Sequence, residues 1–224
     1  LSVPSAQRDK ELKRDYLKNV DFNDTLLLRT NLLTAKLVGY LTLFQNRNMD
    51  KKAMEKAFIA PVDTILQKAQ VNEKMYLFSL HYFVKGFEDL GFENLLQHIA
   101  TNQHLADFPG NSLQKIALQK KLRLITELAI GKTAPDFTAR TLKGKKIQLS
   151  KVKSGNTLLV FWASWCPYCK AALPKLEKYY NPDHPEKLQI IAVAVDETKK
   201  PVEKEIKKEG YNWINIAEQK GWDS

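Results

Sequence analysis

The spacing of apolar residues changes once along this 224-residue chain, near residue 130. Before that point, apolar residues recur every three or four positions, as they do on one face of an α-helix. Beyond it they form short continuous runs bounded by glycine and proline, which is typical of buried β-strands. We therefore predict an all-α helical domain over residues 1–130 and an α/β domain over residues 131–224, with a linker near residues 130–134.

The first part contains five stretches with helical spacing. Asn72 and Asn111-Ser112 are predicted to begin helices, Gly91 to end one, and Pro61 to kink or restart the helix that contains it. Its histidines are scattered and none has catalytic spacing, so we predict a structural or partner-binding domain of unknown function. The stretches are residues 26–44, 53–66, 75–90, 95–99 and 113–130.

The second part alternates strand and helix signals. Residues 145–149 alternate polar with apolar side chains, whereas residues 157–162 and 188–195 are continuous apolar runs, which indicates strands covered on both faces. Residues 167–180 and 201–209 have helical spacing. This order predicts parallel strands joined by right-handed crossovers.

Composition excludes several classes of protein. The chain is 44% hydrophobic and 27% charged, with two cysteines, which argues against a disordered chain and against a disulfide-stapled miniprotein. The most apolar stretch, residues 26–44, is too polar to span a membrane. The net charge of +10 comes without a nucleic-acid-binding motif, so we expect no nucleic acid partner, and an anionic membrane surface would explain the charge equally well. The chain shows no signal segment, which leaves open whether one has been removed.

Both cysteines lie in the sequence Trp-Cys-Pro-Tyr-Cys, directly after the first long apolar run. One helical turn apart, Cys166 and Cys169 would have their Cα atoms about 5 Å from each other, within reach of a disulfide. At the start of a helix, free amides and the helix dipole lower the pKa of Cys166, and Pro167 suits the first turn. Cys169, inside the helix, is expected to be less exposed. We therefore predict that Cys166 is the nucleophile and Cys169 the resolving thiol.

Other uses of the cysteine pair are less consistent with the sequence. A structural zinc site needs four ligands, and His184 stands alone, so no metal is predicted. A purely structural disulfide across so short a loop would restrict the unfolded chain little. A redox-active pair remains, and it needs no cofactor beyond the two sulfurs.

Residues 160–170 together with Pro174 closely resemble the active-site strand and helix of thioredoxin-like proteins. Residues 131–137 and 193–197 resemble the TlpA/ResA-type branch of the redoxin (AhpC/TSA) superfamily. The resemblance implies a thioredoxin-like fold and a thiol–disulfide oxidoreductase that acts on protein disulfides and is recharged by an upstream electron donor. It also implies a periplasmic or cell-envelope location, with membrane association through a removed signal or lipid anchor. The helical part resembles, more loosely, domains that precede such modules.

The chain departs from the family pattern at two helper positions. Cytosolic thioredoxins have a buried aspartate where this chain has Val160, and some ResA-like enzymes have a glutamate where it has Ala172. We therefore predict that Asp196, at the carboxyl end of the neighbouring strand, assists deprotonation of Cys169; the alternative is a solvent-facing turn residue.

Three further side chains are predicted to support the cysteine pair. Trp165 would cover the sulfurs as a contact surface, with partial core burial as the alternative. Tyr168, with Pro167, completes a Pro-Tyr dipeptide of the glutaredoxin kind. Lys170 would add modest stabilisation of the thiolate, unless it is a solvated helix lysine.

The resemblance also implies that part of the fold is missing. The family's sheet continues into a hairpin, preceded by a cis-proline that shapes the substrate groove, and a last helix. The sequence ends before any such proline, so we expect a truncated thioredoxin-like domain.

Two other functions stay open. One is a thiol peroxidase, because residues 135–137 are shared with peroxiredoxins, although those have threonine or serine where this chain has Ala163. The other is a partner-binding envelope protein with a vestigial redox module.

Overall fold

The computed structural model of the chain describes residues 5–102 and 112–218, which form two compact units divided between Ala134 and Pro135. The first unit is helical and the second contains all the β-strands of the described residues. Among the described residues, no helix is both long enough and apolar enough to cross a membrane.

The described residues of the first unit form six α-helices, and short polar side chains mark where several of them begin. The Asn72 carboxamide accepts the N–H groups of Lys74 and Met75, and the Ser112 hydroxyl accepts that of Lys115, so both predicted starts are found in the structure. Gly91, with φ of 63°, follows the helix that it was predicted to end. The helices are α1 (Ser5–Asp15), α2 (Leu32–Thr42), α3 (Lys51–Ala69), α4 (Glu73–Asp89), α5 (Glu93–Asn102) and α6 (Leu113–Glu127).

One expectation for the helices was wrong, and of the two effects predicted for Pro61, a kink or a restart, the restart is not found. Residues 26–44 do not form one helix, because Thr30 has an extended backbone between a 3-10 helix (Thr25–Arg29) and α2. Pro61 does not restart α3, which runs unbroken through it. Pro61 is buried, as are Phe58 and Val62, so packing on both sides offsets the one missing backbone donor.

The core of the first unit is rich in aromatic side chains. Phe87 stacks on Phe83 and on Phe92, with ring centroids 5.7 and 5.8 Å apart. Beside them the buried Glu55 carboxylate accepts the backbone N–H of Asn94 at 3.0 Å, near the start of α5. The carboxylate is thus hydrogen-bonded, as a buried charge requires.

The second unit combines a three-stranded parallel sheet with a short antiparallel hairpin. The sheet order is β3-β4-β5, both pairs are parallel as predicted, and β1 pairs with β2. β1 and β5 were not predicted from the sequence. The elements are β1 (Thr138–Arg140), β2 (Lys146–Gln148), β3 (Thr157–Trp162), α7 (Pro167–Leu176), β4 (Gln189–Ala194), α8 (Lys199–Glu209) and β5 (Ile214–Ala217).

The two long strands differ in burial, which corrects one prediction. β4 is buried along nearly its whole length, as expected for a strand between two others. β3 has only β4 beside it in the described residues, and its side chains Leu158 and Phe161 are 37% and 58% exposed. The expectation that β3 is covered on both faces was therefore wrong for the described residues. α7 is also shorter than predicted and ends at Leu176.

Candidate active site

The cysteine pair lies at the carboxyl end of β3, where the chain turns into α7. The last residue of β3, Trp162, is buried, and its carbonyl accepts the Val195 N–H at 2.9 Å. Cys166 caps α7: its sulfur accepts the N–H of Cys169 at 3.3 Å, and Pro167 occupies the first turn. The Cys166 N–H donates to the Ala163 carbonyl at 3.1 Å. The tight turn therefore points one sulfur at the start of the helix.

The two thiols are both reduced, and their surroundings make them unequal. The pKa of Cys166 is lowered, first by the hydrogen bond from the Cys169 thiol and then by the backbone N–H groups of Cys169 and Tyr168. The pKa of Cys169 is raised, first by burial and then by its hydrogen bond to Cys166, while a backbone hydrogen bond from Ala163 opposes the rise. Cys166 is therefore the better thiolate at neutral pH.

This inequality predicts two separate alkylation profiles. Because thiolate is the reactive form, the rate at Cys166 should rise with pH through a midpoint below the free-cysteine pKa of about 8.5. The rate at Cys169 should rise through a midpoint above it. Iodoacetamide labelling of the reduced protein, read by tandem mass spectrometry of the peptide that carries both cysteines, measures the two midpoints. Equal midpoints near the free value would contradict the assignment.

Asp196, the predicted helper, lies directly beyond β4 and is only 3% exposed, so it is not a solvent-facing turn residue. Its carboxylate accepts the backbone N–H of Ser164 at 3.0 Å and, through its other oxygen, the Ser164 hydroxyl. Ser164 is also buried. The role of Ser164 could not be predicted from the sequence, because a serine in a short loop carries no periodic or spacing signal.

The other predicted residues lie next to the cysteines in the chain. Trp165 and Tyr168 are 64% and 88% exposed, so partial core burial of Trp165 is wrong. The Lys170 ammonium lies 3.8 Å from the Glu205 carboxylate on α8. None of the causes that lower the pKa of Cys166 involves Lys170, so its predicted support of the thiolate has no counterpart in the structure.

No group of three or more potential ligands from His, Cys, Asp and Glu is assembled anywhere in residues 5–102 and 112–218. His184 instead lies 3.1 Å from the Glu186 carboxylate.

Parts of this chain are similar to known proteins. Residues 130–221 match the AhpC/TSA family. The thiol-disulfide oxidoreductase ResA of Bacillus cereus is 39% identical over 82 residues, which are 36% of this chain and 47% of that protein. The thioredoxin-like protein YneN of Bacillus subtilis is 41% identical over 63 residues, which are 28% of this chain and 36% of that protein. The chain thus spans less than half the length of either relative.

A similarity of fold extends over nearly the whole chain. The crystal structure of a thioredoxin-like protein from Bacteroides caccae aligns with a TM-score of 0.58 at 21% sequence identity, over 98% of this chain and 82% of that one. At this level of identity the similarity shows the fold alone.

Proposed function

We propose that the chain is a thiol–disulfide oxidoreductase, because residues 130–221 match the AhpC/TSA family and 82 residues are 39% identical to a ResA thiol-disulfide oxidoreductase. The observation that carries the proposal is the unequal pair itself. One sulfur caps a helix and has a lowered pKa, and its partner one turn later has a raised pKa. This combination suits a nucleophile followed by a resolving thiol.

The reaction proceeds in two displacements. The Cys166 thiolate attacks one sulfur of a substrate disulfide; that S–S bond breaks, a mixed disulfide forms, and the other substrate sulfur leaves as a thiolate. The Cys169 thiol gives its proton to that thiolate or to water and then attacks the Cys166 sulfur. A Cys166–Cys169 disulfide forms and the second substrate thiolate departs. The substrate gains two electrons, the cysteine pair loses two, and an upstream dithiol donor restores the pair.

The substrates we propose are protein disulfides. The exposed rings of Trp165 and Tyr168 flank the cysteines and offer an apolar contact surface to another polypeptide. The two sulfurs suffice for the electron balance, so the proposal includes no metal or organic cofactor. The TlpA/ResA-type motifs support a periplasmic or cell-envelope location and are compatible with a lipid anchor.

Removing the resolving thiol tests the function directly. In Cys169→Ala, the first displacement still occurs but the second cannot, so mixed disulfides between Cys166 and oxidised insulin should accumulate. Non-reducing electrophoresis with mass spectrometry measures them, and Cys166→Ala is the matched control that should form none.

The outcome separates the proposed function from its alternatives. Equal adduct levels in Cys169→Ala and Cys166→Ala would overturn the proposal. Consumption of hydrogen peroxide by the wild-type protein with a dithiol donor, without insulin reduction, would identify a thiol peroxidase instead. If the wild-type protein showed neither activity, a partner-binding role would remain as the explanation.

A further inference from the structure

Asp196 and Ser164 form a buried hydrogen-bonded pair between the ends of the two long strands. The aspartate follows β4, the serine follows β3, and both side chains are buried. One carboxylate oxygen accepts the serine N–H at 3.0 Å and the other accepts its hydroxyl. Two charge-assisted hydrogen bonds to one residue fix both the backbone and the side chain of that residue. The pair therefore holds the loop that leads from β3 to the cysteines.

Ala163, the residue before Ser164 in this loop, interacts with both cysteines. The carbonyl of Ala163 accepts the Cys166 N–H at 3.1 Å. The Ala163 backbone is also one of the groups that lower the pKa of Cys169, against the larger effect of burial, which raises it. A displacement of Ala163 would therefore change the pKa of Cys169. Cys169 is the thiol of the pair whose surroundings disfavour the thiolate.

We propose that Asp196 is a positioning residue that acts through Ser164, holding the Ala163 backbone against the resolving thiol Cys169. This deepens the proposed oxidoreductase function and rests on it. It also differs from the sequence-based hypothesis that Asp196 exchanges a proton with Cys169. The hydrogen bonds that the described residues make to the carboxylate both come from Ser164, so the contact of the aspartate is with the loop.

The two hypotheses make opposite predictions for Ser164→Ala. If Asp196 positions the loop, Ser164→Ala and Asp196→Asn remove parts of the same contact, so each should slow resolution about tenfold. The double variant should then be little slower than either single variant, because the two residues act as one unit. If Asp196 instead accepts a proton, only Asp196→Asn slows resolution, since Ser164→Ala leaves the carboxylate in place.

Stopped-flow mixing of the reduced protein with 5,5′-dithiobis(2-nitrobenzoate) separates the steps. Attack by Cys166 releases the first thionitrobenzoate at a rate proportional to reagent concentration, and resolution by Cys169 releases the second at a rate independent of it. We expect the first phase to change less than about twofold, because the groups that lower the pKa of Cys166, first the Cys169 thiol and then the backbone N–H groups of Cys169 and Tyr168, all belong to α7. The second phase should slow, and the alkylation midpoint of Cys169 should move to higher pH.

The same unit supplies a matched control pair. Asp136 accepts the N–H and the hydroxyl of Ser150, both at 2.8 Å, in the same two-bond arrangement but on the surface. Asp136→Asn and Ser150→Ala should leave both phases unchanged. Ser164→Ala keeps the backbone N–H donor, so it tests the proposal even if Asp196→Asn fails to fold.

Each outcome has a definite meaning. A second phase unchanged in Ser164→Ala but slowed in Asp196→Asn would overturn positioning and favour proton transfer. Unchanged second phases in both variants, with a lowered melting temperature, would reduce the pair to a purely structural role and overturn the proposal. A wild-type protein that releases no second thionitrobenzoate would instead refute the oxidoreductase function itself.

Discussion

Replacing Cys166 with serine is expected to lower the rate of insulin reduction on the order of a thousandfold or more. A serine hydroxyl is not ionised at neutral pH, so the amides of Tyr168 and Cys169 would have no thiolate to stabilise. The fold should survive, because serine is a favourable residue at the N-cap that Cys166 occupies in α7. Insulin reduction with a dithiol donor measures the loss.

Cys169→Ser is the appropriate control for that loss. It keeps the nucleophile, so its first thionitrobenzoate release should persist while multiple turnover stops. If Cys166→Ser retained a tenth or more of the wild-type rate, the nucleophile would have to be Cys169, and the roles assigned to the two thiols would be reversed.

Trp162→Ala should lower the free energy of unfolding of the second unit by about 3–5 kcal/mol. The Trp162 side chain is buried and meets the Tyr211 ring edge-on, with centroids 6.2 Å apart, so its loss leaves a cavity under the end of β3. Urea unfolding followed through alkylation of Cys169, which is half-buried in this unit, measures the change.

The chain contains a matched tryptophan for comparison. Trp165 lies three residues further along and is mostly exposed, so Trp165→Ala should change the free energy of unfolding by no more than about 0.5 kcal/mol. If Trp165 forms the proposed contact surface, the same variant should reduce insulin more slowly while its reaction with the small reagent stays normal. A similar loss of stability in both variants would show that the exposed ring is part of the packing.

Local sequence was sufficient for the parts of the site that depend on near neighbours. The bounds of β3 and the start of α7 follow from an apolar run, a proline and a capping residue that lie within a dozen positions. The geometry of Cys166 at a helix start is therefore found as predicted, whereas the catalytic roles of Cys166 and Cys169 stay predictions.

Features that depend on distant parts of the chain were beyond the sequence. The Asp196–Ser164 contact joins residues 32 positions apart, and it exists only because β3 and β4 pair in a particular register. The exposure of Phe161 could not be predicted either. A continuous apolar run is found in strands with one neighbouring strand as well as in strands with two. β5 was missed since its four residues are too few to show a period.

The edge of β3 that has no partner among the described residues is relevant to what can approach the cysteines. In the described residues, one edge of this strand has no backbone partner, and two of its large apolar side chains, Leu158 and Phe161 on opposite faces, are exposed. Such an edge invites an extended polypeptide to add itself to the sheet. Any polypeptide that did so would run beside a strand that ends four residues before Cys166. A strand added at this edge would therefore lie next to the strand that leads to the cysteine pair.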